Sequence, residues 1–190
     1  MALWGNDIKP KNLTDAEKKE VYATSSGWVR EAGSILSGNG NTSATPEVLV
    51  AIGGLNVNMG TANITEFEFV NTTYDKSAGF TMSVLARFNE AVTVTGTPQL
   101  SVTNGNQGSG TGRGPHTLSF ASGNNTNELT FTLAIPAANA ATAVGDIMVI
   151  GTNAVALNGG AIKDLGTSTV STITTAGSIG SAAGSVTVVT

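Results

Sequence analysis

Apolar and polar residues alternate with a period of two through most of the chain after residue 58. In "FTMSVLARF" (80–88) every second side chain is apolar: Phe80, Met82, Val84, Ala86 and Phe88. The residues between them include Thr81, Ser83 and Arg87, which this spacing places on the opposite face. Such alternation is typical of a strand with one buried face. The stretch therefore predicts a strand with its apolar face in the core.

Similar alternation recurs along the chain. "ITEFEFV" (64–70) sets Phe67 and Phe69 against Glu66 and Glu68, and "ELTFTLAI" (128–135) repeats the pattern. Shorter candidates are "QLSVT", "HTLSFA", "DIMVIG", "NAVALN" and "TSTVSTIT", separated by Gly and Asn turn signals. Seven or eight short strands at this spacing indicate an all-β fold, specifically an immunoglobulin-like β-sandwich over residues 58–175.

The two ends of the chain differ from this central region. In "NLTDAEKKEVYATS" (12–25), Thr14 followed by Glu17 predicts a short helix with a capping box. After a loop over 33–46, "EVLVAIGGLNV" (47–57) predicts a buried strand, which completes an N-terminal anchoring arm of residues 1–57. Residues 176–190 predict a linker that ends in the strand-like "SVTVVT".

Composition supports the all-β prediction and argues against several functions. The 190 residues are 40% hydrophobic but only 12% charged, and they include 24 glycines. An ordinary soluble domain is about one quarter charged. The net charge of −4 and the lack of a basic run argue against nucleic-acid binding. With no cysteine, disulfides and thiolate metal sites are excluded.

The sequence shows no segment typical of a membrane protein or a secreted protein. No apolar run reaches the roughly 20 residues of a membrane-spanning helix. The start, "MALWGNDIKPKNL", lacks the features of a secretion signal, so we expect a complete cytosolic product.

Candidate catalytic and metal-binding residues are few. His116 is the only histidine and has no acidic residue within ten positions, which predicts a surface or loop residue rather than a general base. The Gly-rich stretch 104–115 lacks the GK[ST] of a phosphate loop and predicts a hairpin loop. Oxygen ligands of the kind that calcium uses occur without calcium-loop spacing at Asp146, Asn153, Asn158 and Asp164. We predict no catalytic residue, no cofactor and no metal.

Partner contacts are expected at both ends of the chain and at one loop. The N-terminal candidates are Leu3, Trp4 and Trp28, since a Trp can bury 150–250 Å² and is costly to expose. The two Trp residues either fold back on the domain or anchor the arm in a partner. Arg113 lies in the Gly-rich loop, and exposed Arg is favoured at interfaces. Val186 and Val188 would add a strand to a neighbour's sheet.

Two resemblances add to this interpretation. "YDKSAGFTMSVLARFNEAVTVTGTPQLSVTNG" (74–105), "LSFASGNNTNELTFTLAI" (118–135) and "VALNGGAIKDL" (155–165) resemble the bacterial immunoglobulin-like repeats of large surface and adhesin-type proteins. The resemblance implies a sandwich with a binding or spacing role. "MALWGN", "KPKNLTDAEKKEVYATSSGWVREAG" and "PEVLVAIGGL" resemble the N-termini of virion structural proteins of contractile-tailed marine phages, including those of cyanobacteria.

Together the resemblances imply a capsid decoration (cement) protein rather than an enzyme. Its expected partners are the major capsid protein and neighbouring copies of itself, with no nucleic acid and no membrane. It would be assembled in the bacterial cytoplasm and located on the capsid exterior. Two alternatives remain open: a neck, tail or fibre-associated virion protein, and a carbohydrate-binding or adhesive module.

Overall fold

The fold is known from a computed structural model, which describes residues 13–34, 40–104 and 113–190. The chain is mostly β, with 50% of residues in strands and 9% in helices, so the all-β prediction is confirmed. The elements in chain order are α1 (Asp15–Lys19), β1 (Val21–Thr24), β2 (Gly27–Arg30), β3 (Glu47–Ala51), α2 (Leu55–Asn58), β4 (Ile64–Phe69), β5 (Tyr74–Asp75), β6 (Phe80–Thr95), β7 (Gln99–Asn104), β8 (His116–Ser122), β9 (Thr126–Ile135), β10 (Ile147–Ala156), β11 (Ala161–Asp164), α3 (Gly177–Ala182) and β12 (Ser185–Val189).

The longest strand, β6, organises the sheet. Strand β9 pairs with β6 along one edge, while β4 and then β11 pair with the same strand along its length. The strand order is β3-β2-β1-β6-β9-β8-β7-β10-β12-β5, with β4 and β11 joined to β6 off this path. Pairing therefore makes one open sheet of 12 strands among the described residues. The immunoglobulin-like arrangement stays a prediction.

The main hydrophobic core is formed by the faces that the alternating pattern predicts. Met82, Val84 and Ala86 are fully buried, and Phe80 packs partly buried against the same cluster. Phe67, Phe69, Leu129 and Phe131 also belong to this core, as the alternation in their strands predicts. Most polar residues of β6, including Arg87, lie on the more accessible face, whereas Glu90 lies on the buried face. A period-two pattern is therefore sufficient to locate this core.

The N-terminal unit, residues 13–34 and 40–59, has a smaller core of its own. The predicted capping box of α1 is confirmed: the Thr14 backbone N–H donates to Glu17 Oε2 at 2.8 Å, and the Glu17 N–H donates to Thr14 Oγ1 at 3.3 Å. Strands β1, β2 and β3 pair antiparallel, and β1 joins the rest of the sheet through a parallel pairing of Ala23 with Glu90. Val21, Ala23, Trp28, Leu55 and Met59 form the buried cluster.

Three predicted strands differ from the structure. The buried strand predicted over 47–57 is wrong in its burial, since β3 is an edge strand with exposed residues and the chain then turns into α2. "NAVALN" is not a separate strand because it continues β10 past an irregularity between Ile150 and Val155. "TSTVSTIT" makes only isolated bridges, at Val170 and Thr172.

The C-terminal residues pack on the chain itself. The segment predicted as a linker contains α3, and the strand-like "SVTVVT" forms β12, as predicted. Strand β12 pairs antiparallel with β10 and parallel with β5. The aggregation liability of an apolar terminal strand is thus removed by pairing within the chain.

Replacing Val188 with Ala tests whether β12 is part of the core. Val188 is 0% exposed, so loss of two methyl groups should lower the free energy of unfolding by about 2 kcal/mol. Val189→Ala is the matched control, because Val189 is 39% exposed on the same strand and should change stability by less than about 0.5 kcal/mol. Urea unfolding measures both, and equal effects of the two variants would contradict the placement of β12.

Candidate functional site

Strand β3 presents an open edge, which we call the docking edge (Glu47–Ala51). It is one of the two terminal strands in the strand order, and among the described strands it pairs only with β2. Glu47 and Ala51 are exposed, and Val48 is 52% exposed. Edge strands carry a row of backbone N–H and C=O groups that can pair with another chain. An exposed valine on such a strand adds apolar surface to that backbone row.

Close packing on β2 positions the docking edge. Gly27 has φ = +131°, and a Cβ atom there would lie 2.0 Å from the carbonyl oxygen of Val50. Only glycine lets β2 approach β3 this closely. Leu49 in β3 and Ile52 just after it pack partly buried against the smaller core. The backbone of the edge is therefore fixed while Val48 is left outside.

Trp28 is placed inside the N-terminal unit rather than at a partner interface. It is 2% exposed and packs in the cluster with Val21, Leu55 and Met59. The prediction that Trp28 anchors the arm in a partner is corrected, because a side chain this buried has no surface left to offer. The alternative, that it folds back on the chain, agrees with the structure.

Val186 and Val188 are also placed in the chain's own core. They are 4% and 0% exposed, and their strand pairs on both edges with strands of the same chain. The prediction that they extend a neighbour's sheet is corrected, because those backbone groups and side chains are already used internally. Leu3 and Trp4 lie outside the described residues.

Arg113 is committed to an ion pair beside the Gly-rich stretch. Its Nε and Nη2 donate to the two carboxylate oxygens of Asp146, both at 3.0 Å. Asp146 also accepts from the Asn104 amide at 3.2 Å and the Ala143 backbone N–H at 2.9 Å. Burial would raise the pKa of Asp146, but the Arg113 hydrogen bond and charge, with the Ala143 N–H, lower it. Arg113 therefore has an internal ionic partner, and because its side chain is still 30% exposed, the partner contact predicted for it stays a prediction.

His116 belongs to the same cluster and is a buried strand residue, not the predicted surface or loop residue. It is 5% exposed, and its Nε2 lies 3.0 Å from Asn104 Oδ1, an atom that can only accept. Burial lowers the pKa of His116, against a smaller opposing effect of the Asp146 charge. The neutral imidazole of His116 donates to the Asn104 side chain, and this hydrogen bond holds β8 against β7. Sequence reasoning missed this cluster because Asp146 follows Arg113 by 33 residues.

A second charged group, the Arg87 hub, joins the N-terminal unit to β6. Arg87 contacts four carboxylates: Glu128 at 2.6 Å, Glu66 at 3.0 Å, Glu68 at 3.2 Å and Glu31 at 3.7 Å. Lys19 from α1 also pairs with Glu66, at 2.9 Å. The predicted common face of Glu66 and Glu68 is confirmed by their shared partner. The hub therefore ties three elements of the main sheet to α1 and the end of β2.

The hub borders a polar cleft of about 460 Å³, lined in part by Tyr22, Glu31, Arg87 and Glu128. Burial raises the pKa of Glu31 to about 7; the Arg87 charge opposes this rise, while Glu128 and Glu20 add to it. Burial first, then the charges of Glu31 and Glu128, also raise the pKa of Tyr22. A carboxyl group that titrates near neutral pH therefore lies where the two parts of the sheet meet.

The residues considered as calcium ligands are not brought together. Asp146 is paired with Arg113, and the Asn158 amide donates to the Thr97 carbonyl at 3.2 Å. Asn153 Oδ1 accepts from the Thr175 backbone N–H at 2.9 Å. Within the described ranges, no group of three or more His, Cys, Asp or Glu side chains is placed to hold a metal ion.

Comparisons with protein-family models, with curated proteins and with solved structures find no match to this chain. Among the helices of the described residues, none combines the length and apolar character needed to cross a membrane. The site is therefore defined by the geometry of the chain itself, and the resemblances to phage proteins and to immunoglobulin-like repeats stay predictions.

Glu31 should make the stability of the protein depend on pH. Its folded pKa of about 7 lies above the ordinary value of 4.5, so the folded state holds the proton more tightly. The resulting stabilisation is fully present below about pH 4.5 and is lost as pH rises to about 7, by at most about 1.4 kcal/mol per pH unit. Glu31→Gln should flatten this fall in urea unfolding measured from about pH 5 to pH 8.

Glu47→Gln is the matched control, because it removes an exposed carboxylate on the docking edge. This control should keep the wild-type pH profile. Parallel profiles for wild type and Glu31→Gln would contradict the assignment.

Proposed function

We propose that this chain is a non-enzymatic virion protein, a capsid decoration protein that binds the assembled shell through its N-terminal unit. The docking edge carries the proposal, since its apolar side chain and its unpaired backbone edge face outward together. The major capsid protein is the proposed partner, with neighbouring copies of this chain beside it. The proposed location is the capsid exterior, after assembly in the bacterial cytoplasm.

Strand addition is the binding mode that this edge supports. An extended segment of the partner pairs with β3, the backbone hydrogen bonds supply affinity, and alternate side chains such as Val48 supply specificity. A protein that binds only the assembled lattice stabilises it by RT ln(1 + [L]/Kd) at each site. Many weak edges on one shell thus add up to a substantial stabilisation of the particle.

The rest of the molecule suits a displayed, rigid module. We infer that β4 to β12 form an immunoglobulin-like sandwich, supported by the alternating burial of β6 and β9 and by the resemblance of 74–105 to bacterial repeats. The Arg87 hub connects this module to the N-terminal unit. A mechanical load on the displayed module is therefore transmitted to the N-terminal unit. We therefore assign docking to the N-terminal unit and display to β4 through β12.

The structure changes the proposed mechanism in one respect. Because β12 is held inside the chain's own sheet, the C-terminal arm is not available to bridge capsomers. Binding through two arms is replaced by binding through the N-terminal unit alone. Large aromatic side chains also lie inside, with Phe67, Tyr74 and Phe131 at most 1% exposed, which favours a capsid role over a glycan-binding platform.

Val48→Lys tests the docking edge. A lysine on an edge strand opposes further strand pairing, so binding to phage particles assembled without this chain should weaken by about tenfold or more. Val144→Lys is the matched control, because Val144 is 54% exposed at a site away from β3 and should keep wild-type affinity. Co-sedimentation with the particles gives the affinities, and circular dichroism checks that both variants fold.

Equal affinities for the two variants would contradict docking through β3. Copy number in the particle separates the possible locations: a shell protein should scale with the major capsid protein, whereas a neck or tail protein should be present in far fewer copies. Quantitative mass spectrometry of purified virions measures this ratio.

A further inference from the structure

Two acidic side chains, Glu90 and Asp164, are buried against each other where β6 meets β11. Each residue is 1% exposed, and the two carboxyl groups are hydrogen-bonded to each other. The pairing of Asp164 with Val92 sets this contact, because Glu90 lies two residues before Val92 on the buried face of β6. Acidic side chains are almost never fully buried unless they are paired. A contact between two carboxyl groups in the core therefore needs a physical explanation.

A hydrogen bond between two carboxyl groups requires a proton on one of them, because an ionised carboxylate can only accept. No N–H or hydroxyl group of the described residues donates to either oxygen of Glu90 or to Oδ2 of Asp164. Asp164 Oδ1, by contrast, accepts from the Gly166 and Thr167 backbone N–H groups at 2.7 and 2.9 Å. Glu90 is therefore the donor of the pair, and Asp164 is the acceptor, held in place by the turn after β11.

The described residues supply the pair with no salt-bridge partner, since none of their ion pairs includes Glu90 or Asp164. Neither α2 nor the segment 165–175 contains an ionisable side chain. The other ionisable side chains of the strands around Glu90 belong to the opposite, more accessible face of the sheet: Tyr22, Glu66, Glu68, Arg87, Glu128 and Lys163. Two ionised carboxylates in contact would repel each other strongly in the core, so burial favours a single shared proton.

The pair lies at the junction between the N-terminal unit and the main sheet. Strand β1 joins β6 through the pairing of Ala23 with Glu90 itself, and β11 pairs with the next residues of β6. The turn after β11 packs on α2, because a Cβ atom on Gly166 would lie 2.6 Å from the Asn56 carbonyl oxygen. A change in the charge of the pair therefore acts where β1, β11 and α2 meet β6.

We propose that Glu90 and Asp164 share one proton and that this contact is a pH-sensitive switch between the N-terminal unit and the main sheet. With the proton present, the pair holds β11 and β1 on β6. Loss of the proton in alkaline medium leaves two negative charges in contact, and their repulsion loosens the junction. Burial, followed by the hydrogen bond and charge of Asp164, raises the pKa of Glu90 to about 8, which places this change just above neutral pH. The switch does not depend on the capsid role, because it follows from burial and contact alone.

Thermal unfolding as a function of pH tests the switch in the Glu31→Gln background, which removes another carboxyl group with a raised pKa. Because the folded pKa of Glu90 lies above the ordinary value of 4.5, its stabilisation is fully present below about pH 4.5 and is lost as pH rises through about 8. Tm should therefore fall by about 5–10 °C between about pH 5 and about pH 9. Glu90→Gln in the same background stays neutral and can still donate to Asp164, so its Tm should change little over this range.

Glu47→Gln is the matched control in that background, because it removes an exposed carboxylate and should keep the full fall in Tm. Infrared spectroscopy supplies a readout that a purely structural role of Glu90 would not change. The Glu31→Gln protein should show the band of a protonated carboxyl group at about pH 7, and this band should disappear by about pH 9. The measurement stands even if Glu90→Gln fails to fold.

Hydrogen exchange locates the effect in the fold. At about pH 9, the amides of β1 and β11 should exchange about tenfold faster in Glu31→Gln than in the variant that also carries Glu90→Gln, whereas those of β8 should not differ. The proposal would be overturned by absence of the infrared band at about pH 7, by parallel Tm profiles with and without Glu90→Gln, or by equal exchange of β1 and β11 in the two proteins.

Discussion

The pairing of β6 along both of its edges is the constraint on which the rest of the fold depends. This strand, Phe80–Thr95, holds β9 on one side and β4 and β11 on the other, and its apolar face supplies the centre of the main core. Because side chains alternate strictly, a shift of one residue would turn that whole face outward. The register of β6 therefore determines the placement of both charged groups described above, since Arg87 and Glu90 belong to the same strand.

Charge is used sparingly in this protein, and it is concentrated at the junctions between elements. Arg87 gathers Glu31, Glu66, Glu68 and Glu128 where the N-terminal unit meets β6, and Arg113 pairs with Asp146 beside the Gly-rich stretch. Surface ion pairs usually add little stability, but a network with partly buried members adds geometric definition as well. Only 12% of the residues are charged, and many of them form ion pairs that fix one element of the fold against another.

Local patterns were sufficient for part of this structure. Alternation located the core faces of β4, β6 and β9, and the spacing of Thr14 and Glu17 located the start of α1, because each depends on neighbouring residues alone. The placement of β12 beside β5 and β10 could not be read in this way, since an apolar strand pairs equally well with its own chain or with another. The same holds for β3, because its apolar residues are compatible with a buried strand and with an exposed edge strand.

The polar sites show the same limit. Arg113 and Asp146 are 33 residues apart, and Glu90 and Asp164 are brought together only by the pairing of β6 with β11. Spacing along the chain carries no signal for such contacts. One local feature could have indicated the contact between Glu90 and Asp164. In "FNEAVTV", Glu90 alternates in phase with the buried residues of β6, so an acidic side chain is expected on the core face.

The parallel pairing of β5 with β12 has a consequence for how the molecule reaches its native state. It joins Tyr74 to Val188 and so closes a loop that spans most of the main sheet. A contact between residues this distant in sequence costs the conformational entropy of the whole intervening segment. Folds dominated by such contacts therefore fold slowly, in milliseconds to seconds. While β12 is unpaired, the edge of β10 that it covers is also unpaired, so slow formation of this contact leaves a strand edge open to association with other molecules.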